Sequence, residues 1–207
     1  MTDSASTPAQ AASKPPGLRE RMRATVIAEV GEVGLRLFAA QGFDRTTVDQ
    51  IAAEAGLSRA SLFRYFRTKE DIVLGQLEDF GRRIAEALAD RPEEEQPWQA
   101  LRGAFDVLVQ ENEKAPEQTL SYLRMLFATP SLRARHFEKQ LNWQMLLVPE
   151  IARRLEVDPA DPADPRPGAL AAAALACLDA ASTGWVACDG TVPLSTMLDR
   201  SMGALTE

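Results

Sequence analysis

The sequence predicts an all-α protein of about nine helices, built as an N-terminal three-helix unit followed by a larger helical domain. Three observations predict it. Apolar residues recur at helical spacing, as in Val26, Val30, Val33 and Leu37. Sustained period-2 alternation is missing, so there is no Asn-Gly or Asp-Gly step flanked by alternating strands to signal a hairpin. Capping patterns recur ahead of apolar runs, at Thr47, Ser58 and Thr68.

Residues 1–17 are rich in Ser, Ala and Pro and contain no apolar run. They read as a disordered arm rather than a secretory signal. The first helix is expected from Leu18 to Gln41, ended by Gly42, with Phe43 as the apolar contact beyond the cap. A second helix opens at Thr47, whose Thr-x-x-Gln spacing with Gln50 is that of a capping box. Ile51, Ala52 and Ala55 form its inner face, and Gly56 ends it. Ser58 caps a short third helix from Arg59 to about Phe66. Thr68 and Asp71 repeat the box and start a fourth, running to about Asp90.

Arg91–Pro97 is a polar break. Helices are then expected over 98–114, 116–128 and 131–156, the last kinked or split by Pro149. Prolines 159, 162, 165 and 167 make a stiff loop. Two final helices cover 168–189 and 193–205. The first of these is small or apolar almost all round. Asp179 breaks it, and no run reaches the roughly 18 apolar residues of a membrane span, so the chain is expected in the cytoplasm with no membrane partner.

The 207 residues carry a net charge of −7. The charge is uneven: residues 1–70 hold ten Lys/Arg against eight Asp/Glu, a local +2 on an otherwise acidic chain. Charges act within a Debye length of about 8–10 Å, so a mildly basic head can still meet phosphate. Cys177 and Cys188 are too few for a disulfide framework, and the single histidine, His136, completes no zinc site. They read as small buried hydrophobes. With no Gly-x-Ser-x-Gly, no phosphate loop and no metal cluster, there is no catalytic constellation and no cofactor is expected.

The informative segment is Thr46–Val73. Two short helices joined by Gly56-Leu57-Ser58 have the spacing of a helix-turn-helix, whose second helix enters the DNA major groove. Ile51, Ala52, Ala55, Leu57, Leu62 and Phe66 pack inward. Arg59, Ala60, Ser61, Phe63, Arg64 and Tyr65 face outward, offering guanidinium, hydroxyl and aromatic groups to base edges and backbone. Lys69 stands at the next helix N-terminus, where phosphate is favoured.

The run Thr47-x-x-x-Ile51-Ala52-x-x-Ala55-Gly56-Leu57-Ser58-x-x-Ser61-Leu62-Phe63-x-Tyr65-Phe66-x-x-Lys69 resembles the DNA-binding signature of the tetracycline-repressor-like (TetR) family. The resemblance implies a homodimer, repression relieved by a ligand, base reading by Ser61 and Arg64, and phosphate contacts from Thr47, Tyr65 and Lys69. Ser58, Arg59 and Phe63 complete the expected DNA-contacting set, Phe63 standing where the family often has tyrosine. The division that follows is residues 18–67 for DNA binding and 68–207 for ligand binding and dimerisation.

The stretch Ser121–Leu155, with Ala128-Thr129-Pro130-Ser131-Leu132-Arg133-Ala134-Arg135 at its centre, is similar to a C-terminal domain of actinobacterial members that bind acyl-CoA-like ligands. Phe105, Met125, Arg135, His136, Trp143 and Trp185 are the expected effector contacts, with Arg135 or Arg133 meeting an anionic head. Leu170, Ala174, Cys177, Leu178, Ala181 and Trp185, with Leu194, Met197 and Leu198, are expected at a four-helix dimer interface. Competing readings are an activator or a ligand-independent regulator, and a lipid carrier whose helix-turn-helix is vestigial.

Overall fold

The computed structural model describes residues 17–75 and 77–206; the expected arm, residues 1–16, lies outside them. Among the described residues there are eleven helical segments and no strand. They are α1 (Leu18–Gln41), α2 (Val48–Glu54), α3 (Arg59–Phe63), α4 (Lys69–Leu74), α5 (Leu77–Ala89), α6 (Pro97–Ala104), α7 (Asp106–Lys114), α8 (Pro116–Ala128), α9 (Pro130–Arg154), α10 (Arg166–Ala187) and α11 (Leu194–Gly203).

Two expected helices are divided, which accounts for the excess over nine. The fourth separates into α4 and α5 after Leu74. The helix expected over 98–114 breaks at Phe105, which caps α6 and starts α7 while its ring is fully buried. The reverse holds at Pro149: α9 runs through it as one helix of 25 residues. The proline costs one backbone bond, to the carbonyl of Met145. Both residues are exposed, so water can satisfy that carbonyl.

Side-chain caps set the starts of α2, α3 and α4. Thr47 accepts from the Gln50 amide while the Gln50 side chain accepts from the Thr47 amide at 2.9 Å; Thr68 and Asp71 repeat the exchange. α2 closes in a Schellman turn: the Leu57 amide reaches the Ala52 carbonyl at 2.8 Å and the Gly56 amide reaches Ala53 at 3.1 Å. Gly56 has φ +66°, a conformation that costs a side chain strain. The same motif ends α9 with Glu156 at φ 56° and α10 with Asp189 at φ 51°.

The apolar residues separate into two cores. One joins Val30, Val33, Phe38, Phe43, Ile51, Ala52, Leu62 and Phe66 to Ile72, Val73 and Leu74 of α4 and to Leu126 and Leu132. The packing of the N-terminal unit thus runs past residue 67 and takes in α4. The other core fills the space between α5–α7 and α9–α11.

α10 is long and apolar enough to cross a membrane by length and composition. Here one of its faces is core, and Asp179 pairs with Arg133 on α9 at 3.5 Å. Seven expected interface residues are buried, Ala174, Cys177, Leu178, Ala181 and Trp185 on that face of α10 and Leu194 and Leu198 on α11, each 6% exposed or less. In the single chain they pack into its own core. Only Leu170 and Met197 of the expected set keep partial exposure. The outward face of α10 carries Ala169, Ala172, Ala176, Ala180, Thr183 and Ala187. Cys188 is half-buried rather than buried.

Candidate nucleic-acid interface and effector cavity

The recognition element is α3 with the turn after it. Leu62 and Phe66 are its anchors, 1% and 3% exposed, and they fix which face remains outside. That outer face presents Arg59, Ala60, Phe63 and Arg64, with Ser61 and Tyr65 half-buried beside them. The Ser58 hydroxyl accepts from the Ser61 amide at 3.1 Å and donates to the Ser61 hydroxyl at 2.9 Å, so the cap also orients Ser61. Arg59 reaches Asp49 on α2 at 3.0 Å and lies over the Phe63 ring at 5.5 Å. Both members of that ion pair are exposed, so it holds the arginine only weakly. The Arg23 guanidinium sits 6.0 Å from the Tyr65 ring centre. Arg64 is exposed, and its guanidinium has no hydrogen-bond or ion-pair partner among the described residues.

Lys69 departs from the expectation of an outward phosphate contact. Its ammonium donates to the carbonyls of Phe43, at 2.7 Å, and Thr46, at 3.2 Å, and stands 4.0 Å above the Phe43 ring. Two of its three donors are thereby engaged inside the unit. The first residue of α4 is thus clamped to the segment that starts α2. Thr46, which the sequence reading passed over, is 1% exposed and helps tie the same segment down, donating to the Gly42 carbonyl at 2.9 Å.

A cavity of about 300 Å³ lies where the two cores meet. Leu35 of α1 and Val73 of α4 come to it from the N-terminal unit, Leu77 and Phe80 from α5, and the rest from α7 to α10. Of the six expected effector residues, His136 and Trp143 line it. The other four do not. Phe105 and Trp185 are core, 0% and 2% exposed. Met125 packs against the N-terminal core. Arg135 is one position off the lining face of α9 and forms ion pairs with Asp71, at 3.2 Å, and with Glu138. The lining face of α9 is His136, Gln140 and Trp143, a helical i, i+4, i+7 set that would have identified Gln140 in the sequence. Asp179 and Ser182 also line the cavity, two of the few polar residues of a mostly apolar helix.

Two lining residues carry buried polar atoms without a partner, the Tyr122 hydroxyl and His136 Nδ1. Burial pushes the His136 pKa below its ordinary value, against the pull of Asp179, and raises that of Tyr122. Both groups are therefore neutral near pH 7.

The cavity is mechanically joined to the helix-turn-helix. The Trp143 indole donates to the Leu77 carbonyl at 3.2 Å. Gly81 leaves the space that the ring occupies, since a Cβ there would lie 2.2 Å from it. Asp71 accepts from Arg135 of α9 through one oxygen and from the Thr68 amide, at the cap of α4, through the other.

Among the described residues, helices throughout with a capped helix-turn-helix at the N-terminal end define a class of helix-turn-helix transcriptional regulators. The family model described as bacterial regulatory proteins, tetR family, matches residues 32–75, and the one described as MftR C-terminal domain matches residues 95–207. The regulator TcmR of Streptomyces glaucescens is 31% identical over 157 residues, covering 73% of this chain and 70% of TcmR. MftR of Mycobacterium tuberculosis is 32% identical over 137 residues, covering 65% and 68%. Among solved structures, the fold is shared with Thermus thermophilus FadR in complex with lauroyl-CoA (TM-score 0.55, 23% identity, 87% of this chain and 93% of that one). It is shared too with the SmeT–triclosan complex (TM-score 0.61, 17% identity, 87% and 91%). The chain belongs to the TetR family of bacterial transcriptional regulators, a family of regulators and not of enzymes.

Proposed function

We propose that this protein is a cytoplasmic, ligand-responsive repressor that binds a near-palindromic operator as a homodimer and is released by a small apolar effector. The observation that carries the reading is the placement of the cavity. Its wall includes Leu35 and Val73 from the N-terminal core, so a bound molecule presses on the helices that hold α2 and α3. Occupancy that shifts α4 or α5 moves the Lys69 clamp and the Asp71–Arg135 tie with it. A change of the distance between two recognition helices across a dimer alters the match to half-sites a fixed number of DNA turns apart.

Ser61 and Arg64 are assigned to base edges, and Thr47, Ser58, Arg59, Phe63 and Tyr65 to backbone and sugar. Lys69 is assigned to positioning α2 rather than to phosphate. The partner subunit is assigned to the alanine face of α10, where small residues permit close helix approach. Phe137, Leu141 and Met145 on the adjacent α9, spaced i, i+4, i+8 and 43–66% exposed, extend that face with apolar bulk.

The test is fluorescence anisotropy of a labelled fragment from upstream of the protein's own gene, backed by site selection from random DNA, together with a reporter driven by the selected site. Salt-sensitive nanomolar binding to an inverted repeat, with reporter output lowered by the protein, is the expected result. Raised output makes the protein an activator. Failure to enrich any site would leave the carrier reading.

A further inference from the structure

We propose that the effector cavity takes an uncharged, ring-based molecule bearing hydrogen-bonding oxygens, and not an acyl-CoA or other anion. This rests on the effector reading above and names the chemistry of that site. Four lining side chains are aromatic carbocycles or indole: Phe80, Tyr122, Phe127 and Trp143. Together with the neutral His136 imidazole they offer faces and edges for ring packing. Among the described lining residues there is no lysine or arginine, and the ionic groups there are the carboxylates of Glu111 and Asp179. Their cationic partners stand outside the lining: Lys114 at 3.0 Å and Arg83 at 3.6 Å from Glu111, and Arg133 at 3.5 Å from Asp179.

An anionic head entering the cavity would find no lysine or arginine in the lining to receive it, only carboxylates whose cations stand outside, so its desolvation would go uncompensated. A cationic ligand would compete for carboxylates that are already paired. Arg135, the basic residue expected to hold an anionic head, is committed to Asp71 and Glu138 outside the cavity. What the lining leaves unsatisfied is neutral: the Tyr122 hydroxyl and His136 Nδ1. A ligand carbonyl or phenol can satisfy both, and an analogue without oxygen leaves two buried polar groups unpaired. At about 300 Å³ the cavity is at the small end of ligand sites, which suits a few fused rings rather than a long chain carrying a nucleotide.

The probe is 1,8-dihydroxyanthraquinone, uncharged at pH 7, compared with lauroyl-CoA by isothermal titration calorimetry on the full chain. The expected result is saturable binding of the quinone at one site per chain and no heat from lauroyl-CoA. Tyr122→Phe is expected to weaken quinone binding about tenfold, the equivalent of one hydrogen bond of roughly 1.4 kcal/mol, with the thermal melt retained. Should Tyr122→Phe fail to fold, His136→Phe serves the same comparison. Lauroyl-CoA binding more tightly than the quinone overturns the proposal, as does quinone affinity unmoved by either variant. Absence of quinone binding by protein that still holds its operator also overturns it. Quinone binding that leaves operator affinity unchanged supports the ligand class while it overturns the ligand switch.

Discussion

At the scale of the residue, the DNA-binding unit divides its cations by task. Arg64 is exposed and unpartnered among the described residues, while Lys69 is spent on the carbonyls of Phe43 and Thr46. Removing the ammonium takes that donor from the Thr46 carbonyl, while the Phe43 carbonyl keeps the Thr46 amide at 3.3 Å; a buried acceptor left unsatisfied costs about 1–3 kcal/mol. Lys69→Met is therefore predicted to lower the urea midpoint and to weaken binding to all DNA sequences, with the salt slope of binding unchanged. A slope reduced by about one would instead mean that Lys69 neutralises a phosphate.

His136 carries the second residue-scale prediction. The unfolded chain takes up a proton near pH 6.5, and the folded protein, with the His136 ring half-buried and its Nδ1 shut off from water, does so only at lower pH. The unfolded state thus binds more protons in that window, so this contribution to stability is full above about pH 6.5 and falls as the pH drops through it. Melting temperature should decline between pH 7.5 and 5.5, and His136→Gln should make that decline shallower. An identical pH profile in the variant would contradict the assignment.

At the scale of the element, local chemistry was written plainly in the sequence and long-range packing was not. The boxes Thr47–Gln50 and Thr68–Asp71, the Ser58 cap and the Gly56 stop are contacts over a few residues, and each stands where the pattern puts it. The break at Phe105 has no such signature, because a buried ring shared by two helices sets it. α10 is apolar on nearly every side, so its periodicity could not say which side is core. The expected interface fell on the inner face for that reason. The cavity was half legible: His136 and Trp143 were found, whereas Tyr122 and Asp179 line it only because α8 and α10 meet α9.

α5 and α9 also depend on one close approach. Gly81→Ala places a Cβ 2.2 Å from the Trp143 ring, which must then move from the Leu77 carbonyl. Overpacking of this kind costs about 1–3 kcal/mol. Chemical denaturation should record that loss, and calorimetry should record altered ligand binding, because Trp143 lines the cavity. An unchanged midpoint would mean that the two helices are free to separate.

At the scale of the whole molecule, the proposed reading has DNA meet the basic head of an otherwise acidic chain, with the dimer setting which sites fit. A charge on the alanine face of α10 should separate subunits without disturbing either core, because Ala176 is exposed in the single chain. Ala176→Glu is predicted to give a folded monomer in light scattering and to lose most operator affinity, as two linked half-sites become independent. A dimer of wild-type affinity would place the interface elsewhere.

On the proposed reading one cavity controls one DNA surface, and thermodynamic linkage between the two can be measured. Operator affinity is measured by anisotropy at fixed salt, with no ligand and at saturation with whichever of the quinone or lauroyl-CoA binds. Coupling of about 1–3 kcal/mol, the usual size for two linked sites, predicts a 5- to 150-fold weakening, and ligand affinity falls by the same factor when operator is present. Equal operator affinity at zero and saturating ligand would contradict the account.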